Sequence, residues 1–237
     1  PATPEVLTGF LAAAKAAPDE LTTILLAMPA PPLPFLPSEL HGKTVLMGMM
    51  AYAGPAEAAQ EALAPFRSLA TPFADLVRPG TYSMMYLPED PSMKPTISVR
   101  SMFRNDLSLA EATEILARLE RCEAPMRMAQ FRVLGGAAAR VPAGATAYAH
   151  RDAGMLAALL AMDGTPEAAM RHDAWADAGI AALGGPARGS YVNFIADQGE
   201  DILRATYPGT TWQRLRQVKQ QYDPANLFHL NQNIPPA

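Results

Sequence analysis

Hydrophobic positions recur with a helical period in some windows of this chain and with a period of two in others. "PEVLTGFLAAAKAA" (4–17) sets Val6, Phe10 and Ala13 on one face, with Pro4 suited to a first turn, and predicts a helix. "LTTILLAMPAPP" (21–32) is β-branched and apolar and is stopped by prolines, the pattern of a strand. Pro29, Pro31, Pro32, Pro34 and Pro37 make 29–42 a loop. "KTVLMGMMAYAG" (43–54) reads as a second, mostly buried strand. "PAEAAQEALAPFRSLA" (55–70) reads as a helix that Pro65 kinks or ends. After an irregular stretch (71–91), "PTISVRSMFRN" (95–105) alternates as a strand does. Ile97, Val99, Ser101 and Phe103 fall on one side, and Ser98, Arg100, Met102 and Arg104 on the other.

"DLSLAEATEILARLERC" (106–122) is the cleanest amphipathic helix, with Leu109, Ala112, Ile115, Leu116 and Leu119 on one face and a capping box from Ser108 to Glu111. "MRMAQFRVLGGAAARV" (126–141) reads as a strand bent at Gly135-Gly136. "MLAALLAM" (155–162) is apolar throughout, and periodicity leaves its type open. "TPEAAMRHDAWADAGIAAL" (165–183) predicts a helix capped by Thr165 with Pro166 at its first position. "GSYVNFIA" (189–196) predicts a strand with Tyr191 and Asn193 on one face, Val192 and Phe194 on the other. "TTWQRLRQVKQQY" (210–222) predicts a helix with Trp212, Leu215, Val218 and Tyr222 facing inward. Irregular alternation of strands and helices without a repeat predicts an α+β fold. Its large antiparallel or mixed β-sheet is covered by helices and followed by an extended C-terminal tail.

Composition narrows the function. A hydrophobic fraction of 49% supplies a core, and a net charge of -4 without any Lys/Arg run argues against a nucleic-acid partner. No apolar stretch reaches the ~18 residues of a spanning helix, no signal peptide is legible, and a cytoplasmic location is expected. The chain starts on a proline, which reads as a cut. Cys122 is the single cysteine, so no intramolecular disulfide forms, and a buried, inert thiol is expected. The four histidines lack metal-ligand spacing, and no metal site is expected. No Gly-x-Ser-x-Gly elbow occurs. "GGPARGS" (184–190) reads as a helix C-cap and turn rather than a phosphate cradle. A dinucleotide's pyrophosphate would therefore be held elsewhere. "TAYAHRD" (146–152) places His150 and Arg151 between apolar segments, where a clamp on backbone carbonyls is expected.

The tail "YDPANLFHLNQNIPP" (222–236) is dense in groups that bind something. Asp223-Pro224 ends the preceding helix. Leu227, Phe228 and Ile234 are apolar anchors, and Asn231, Gln232 and Asn233 offer donors and acceptors. "RLRQVKQQYDPANLFHLNQNIPP" closely resembles the C-terminal signature of the berberine-bridge-enzyme-like flavin oxidoreductases of the vanillyl-alcohol-oxidase superfamily. "PARGSYVNF" resembles that family's Tyr-x-Asn strand, and "GGAAARVPAGATAYAHRD" its Gly-Gly…His-Arg segment. "HGKTVLMGMMAYAG" and "APFRSLATPFADLV" resemble upstream parts of the same half.

The resemblance implies a substrate-binding domain over 1–221 and a tail over 222–237 that packs on an N-terminal FAD-binding domain. FAD would be bound mainly by that partner domain. The implied reaction is oxidation of an alcohol, sugar or related small molecule by hydride transfer to flavin. Tyr191 matches the family's tyrosine as base or proton relay, and Asn193 and Asn231 match positions near the cofactor or domain interface. Arg140 falls near the place where plant members carry a catalytic residue. Being always protonated, it is expected to bind an anionic or carbonyl-bearing substrate, or to lower the pKa of a phenol. Tyr148 is assigned to the substrate. An exposed, partly apolar docking face, able to pair as a homodimer, is expected. Two rivals stand beside this reading: a flavin-less ligand-binding or scaffold module derived from the fold, and a ferredoxin-like module whose motif matches are accidental.

Overall fold

A computed structural model describes residues 2–85, 95–185, 189–195 and 199–237. Five strands form one sheet in the order β2-β1-β4-β5-β3: β1 (Leu21–Pro29), β2 (Thr44–Tyr52), β3 (Thr96–Arg104), β4 (Met126–Val133) and β5 (Met155–Asp163). All four pairings are antiparallel. The architecture is the expected α+β one. The apolar run of ambiguous type is strand β5, flanked on both sides, and its residues 155–159 and Ala161 are buried.

One sheet face carries the helices α1 (Pro4–Ala16), α2 (Ala56–Arg67), α3 (Leu109–Arg121) and α5 (Ala169–Ala182). The main core lies between them, built from Leu7, Phe10, Phe66, Ile115, Leu119 and Ile180 against Leu25, Phe131 and Leu159. Along α1 the buried stripe is Leu7, Phe10, Leu11 and Ala14, one step round from the predicted Val6–Phe10–Ala13 face. α3 keeps its capping box, and Leu109 alone of its predicted stripe is exposed, because it occupies the first turn. Pro65 lies inside α2, which continues to Arg67.

Four sequence readings are corrected. The chain does not run as a strand through Gly135-Gly136: β4 ends at Val133 and a short helix α4 (Gly136–Arg140) follows. Three consecutive alanines, the best helix formers, account for that turn. Thr165 does not cap α5. A 3-10 turn over Pro166–Ala168 intervenes, and the Thr165 hydroxyl donates to Asp163 instead. "GSYVNFIA" is not a strand: Val192–Phe194 form a 3-10 turn, while residues 196–198 lie outside the described set. On the last long helix, α7 (Thr210–Tyr222), Trp212 is buried but Val218 and Tyr222 are exposed, so the inward stripe stops after the first turns.

Strand alternation fixes what the opposite sheet face presents. Since Ala129, Phe131, Leu159 and Met102 enter the helix-side core, Gln130, Arg132, Leu156, Leu160, Val99 and Ser101 point the other way. Met28, Met47, Met49, Met128 and Met162 share that side. Among the described residues, the segment around 189–195 and the helix α6 (Glu200–Thr206) cover this face towards one edge, beside β3.

Candidate functional site

Tyr191 reaches the open sheet face because its segment is stapled to β3 at both ends. The Phe103 N–H donates to the Gly189 carbonyl at 3.2 Å. The Ser101 hydroxyl donates to the Phe194 carbonyl at 2.7 Å. A hydroxyl has one proton, so the contact between the Ser101 and Ser190 side chains is completed by Ser190 donating. Gly189 makes the approach possible. Its φ is +72°, and a Cβ there would overlap the Ala205 backbone at the end of α6.

The turn brings Tyr191 and Asn193 together, as the sequence expects, though by a 3-10 geometry rather than a strand's. The Asn193 Nδ2 donates to the Tyr191 hydroxyl oxygen at 3.0 Å. Tyr191 packs with Phe194, Tyr148, Phe103 and Leu156 in one apolar cluster. Tyr148 and Tyr191 meet edge to face, with ring centres 6.1 Å apart. Phe103, Tyr148, His150, Ser190, Tyr191 and Tyr207 line a cavity of about 210 Å³. Burial pushes the phenols of Tyr148 and Tyr207 upward, with the Tyr191 charge adding to each and Arg151 opposing the shift at Tyr148.

The loop behind the cavity is the carbonyl clamp expected from sequence. His150 is buried, and its Nε2 lies 3.1 Å from both the Ala205 and Thr206 carbonyls. Carbonyls only accept, so Nε2 carries the proton. The ring stacks on Phe103 with centres 4.5 Å apart. Arg151 donates to the Tyr148 and Ala138 carbonyls and lies over the Tyr148 ring. Cys122 is buried as expected, and burial raises its thiol pKa. Among the described residues no His/Cys/Asp/Glu cluster suits a metal ion.

Two expected site residues lie apart from Tyr191's cluster. Arg140 is exposed and ion-paired with Asp19 at 2.5 Å, and it does not line the cavity. Asn231 sits in the exposed tail with φ +58°. The tail itself divides. Asp223 accepts from the backbone N–H groups of Leu227 and Phe228 and from Lys219, which ends α7 as a capped turn. Gln232 donates to the Ile195 carbonyl, and Ile234 packs with Ile195, Leu203 and Trp212. Between these fixed points Leu227, Phe228 and Leu230 are 73%, 81% and 80% exposed, so this chain does not bury them.

The residue that sequence reading passed over is Arg132. It projects from β4 onto the open face, opposite Ile24 on one side and Leu156 on the other. Its guanidinium lies 4.5 Å from the Phe194 ring centre, and burial lowers its pKa while the Tyr191 charge opposes that shift. Its Nε is buried without a hydrogen-bond partner. The signal was present in "MRMAQFRV", where Gln130 and Arg132 interrupt an apolar strand at a period of two.

The fold built on this sheet is shared with solved structures. BBE-like #28 from Arabidopsis thaliana superposes with a TM-score of 0.76 at 18% identity, covering 99% of this chain and 54% of that one. A chitooligosaccharide oxidase superposes with a TM-score of 0.70 at 20% identity, covering 100% of this chain and 53% of that one. Residues 190–235 match the family described as berberine and berberine like. An uncharacterized FAD-linked oxidoreductase of Bacillus subtilis (strain 168), YgaK, is 36% identical over 105 residues, 44% of this chain and 23% of that protein. The chain thus carries a berberine-like C-terminal segment and has FAD-linked oxidoreductases as relatives, as the tail led us to expect. It spans about half the length of the two solved structures.

Proposed function

We propose that this chain forms the substrate-binding side of an FAD-dependent oxidoreductase acting on an alcohol, a sugar or a related small molecule. One observation carries the reading. Within the berberine-like segment, the Tyr191 phenol is held by Asn193 at 3.0 Å beside a sheet face that the described residues leave largely open. The chitooligosaccharide oxidase of the same fold makes a sugar a fitting first substrate to try.

The open face suits a flavin ring in part. It is broad and apolar, and methionine side chains adapt to a flat surface. The sequence holds no Gly-x-Gly-x-x-Gly turn, so we assign the pyrophosphate to an N-terminal FAD-binding domain. Leu227, Phe228 and Leu230, with Asn231 beside them, would dock on that domain. FAD, once bound, supplies the hydride acceptor. Oxidising an alcohol to a carbonyl also releases the hydroxyl proton, and Tyr191 takes it as base or relay. Asn193 donates to the phenol oxygen and steadies negative charge there. Tyr148 and Phe103 wall the substrate and keep water from it.

The test is turnover by the protein carrying both halves, loaded with FAD and offered a panel of oligosaccharides, monosaccharides and primary alcohols, the last with and without a carboxylate on an aromatic body. Substrate-dependent oxygen or dye reduction supports the reading. A flavin-loaded protein that turns over none of the panel, or a protein that takes up no flavin, overturns it.

A further inference from the structure

Among the described residues Arg132 places a cation on the open sheet face with a buried Nε that has no hydrogen-bond partner, and the geometry points to it as the anchor for an anionic group of the substrate. We therefore propose that the substrate carries a carboxylate on an apolar or aromatic body. The inference rests on the proposed oxidoreductase reading for the word substrate, but the anion site itself stands on this chain alone.

Other half-buried arginines of the sheet have oxygen partners. Arg100 pairs with Asp173 and Asp177, Arg104 with Glu111 and the Leu183 carbonyl, and Arg127 with the Leu119 and Ala124 carbonyls. All three point to the helix side. Arg132 points to the open side, and no described residue accepts a hydrogen bond from its Nε. It stays charged even so, because a guanidinium does not lose its proton in the physiological range. A cation placed among Ile24, Leu156 and Phe194 is poorly solvated, and the Phe194 ring compensates only one face of it. A ring contact offers no oxygen to the guanidinium's N–H donors, which lie in its plane. That plane remains available for the two oxygens of a carboxylate, the geometry arginine matches best.

The neighbourhood sets the remaining chemistry. Tyr191, the proposed proton acceptor, packs against the same Phe194 ring with centres 6.0 Å apart, so an anion held by Arg132 lies on the Tyr191 side of the open face. Leu156, Phe103, Tyr148 and Phe194 offer apolar and aromatic contact and few competing donors. Arg140, expected from sequence to meet such an anion, is already paired with Asp19.

The test is NMR of the 237-residue chain, reading arginine Nε–H resonances during titration with benzoate and, separately, with benzyl alcohol. Benzoate is expected to shift one Nε–H resonance saturably, and that resonance is absent in both Arg132→Lys and Arg132→Gln. Benzyl alcohol is expected to leave it in place. Amide spectra of the two variants check that the sheet is intact, and two substitutions guard against one failing to fold. The proposal is overturned if benzoate moves no arginine resonance. It is equally overturned if benzyl alcohol moves it as far, or if the resonance responds only to raised pH and only while Tyr191 is present, which would make the Tyr191 phenolate its partner. None of these outcomes depends on flavin, so the site can fail while the oxidoreductase reading survives, and the reverse.

Discussion

Gly189 is where one residue decides the geometry of the site. Its left-handed backbone and its closeness to Ala205 let Ser190 and Tyr191 lie on β3. Replacing it with alanine strains the backbone and drives a methyl group into a carbonyl. We expect Gly189→Ala to cost roughly 1–3 kcal/mol of stability, read as a lowered midpoint in denaturant. It should also break the Asn193–Tyr191 hydrogen bond. At this scale the sequence was legible where chemistry is local. A His-Arg pair between apolar segments had to find oxygen partners, and His150 and Arg151 find carbonyls. Tyr191 and Asn193, two residues apart, do meet. Arg140 and Arg132 were not distinguished. Which arginine stays without a carboxylate depends on Asp19, distant in sequence, and on which face of β4 is left open.

Elements are where the tail's logic becomes testable. The turn after α7 is organised by Asp223, whose carboxyl is held below the usual carboxylate range first by Lys219 and then by the N–H groups of Leu227 and Phe228. An unfolded aspartate titrates near about 3.9. A folded-state value below that gives a contribution that is complete above the unfolded value and is lost as pH falls through the folded one. Thermal stability should therefore drop between about pH 5 and pH 3 more steeply in the native chain than in Asp223→Asn, which has no such titration. Asp163, hydrogen-bonded by His172, shifts the same way in both proteins and cancels in the comparison. Equal slopes would remove Asp223 from its capping role. Periodicity found the helices α1 and α3 because their apolar positions face one wall, and found α7 although its stripe is buried at Trp212 and exposed at Val218 and Tyr222. It misread 189–196, whose alternation of Tyr191 and Asn193 with Val192 and Phe194 mimics a strand. There the chain crosses the end of β3 through Gly189 and Phe194 instead of pairing along it.

Across the described residues the molecule is a sheet with four helices on one face and a largely uncovered opposite face. The helix layer followed from amphipathic faces in the sequence. The open face could not, because a strand with two apolar sides reads alike whether its second side meets helices, another domain or a cofactor. The exposed apolar stretch of the tail belongs to the same question. Phe228→Asp with Leu230→Asp should leave the melting temperature of this chain within ~1–2 °C, since surface substitutions that remove no buried contact change little. In a protein carrying the proposed FAD-binding domain the same pair should loosen the domains and release flavin, measured as flavin fluorescence in the flow-through. A fall in this chain's own stability would show instead that the tail is part of its core. The account rests on Tyr191 taking the substrate's proton, and general base catalysis of that kind is worth about 10²–10⁴-fold in rate. The decisive measurement is anaerobic single-turnover bleaching of the flavin's visible band, native against Tyr191→Phe, with a substrate found in the panel. The account predicts slowing by about that factor with flavin content and melting temperature unchanged. Bleaching at the native rate in Tyr191→Phe would contradict it.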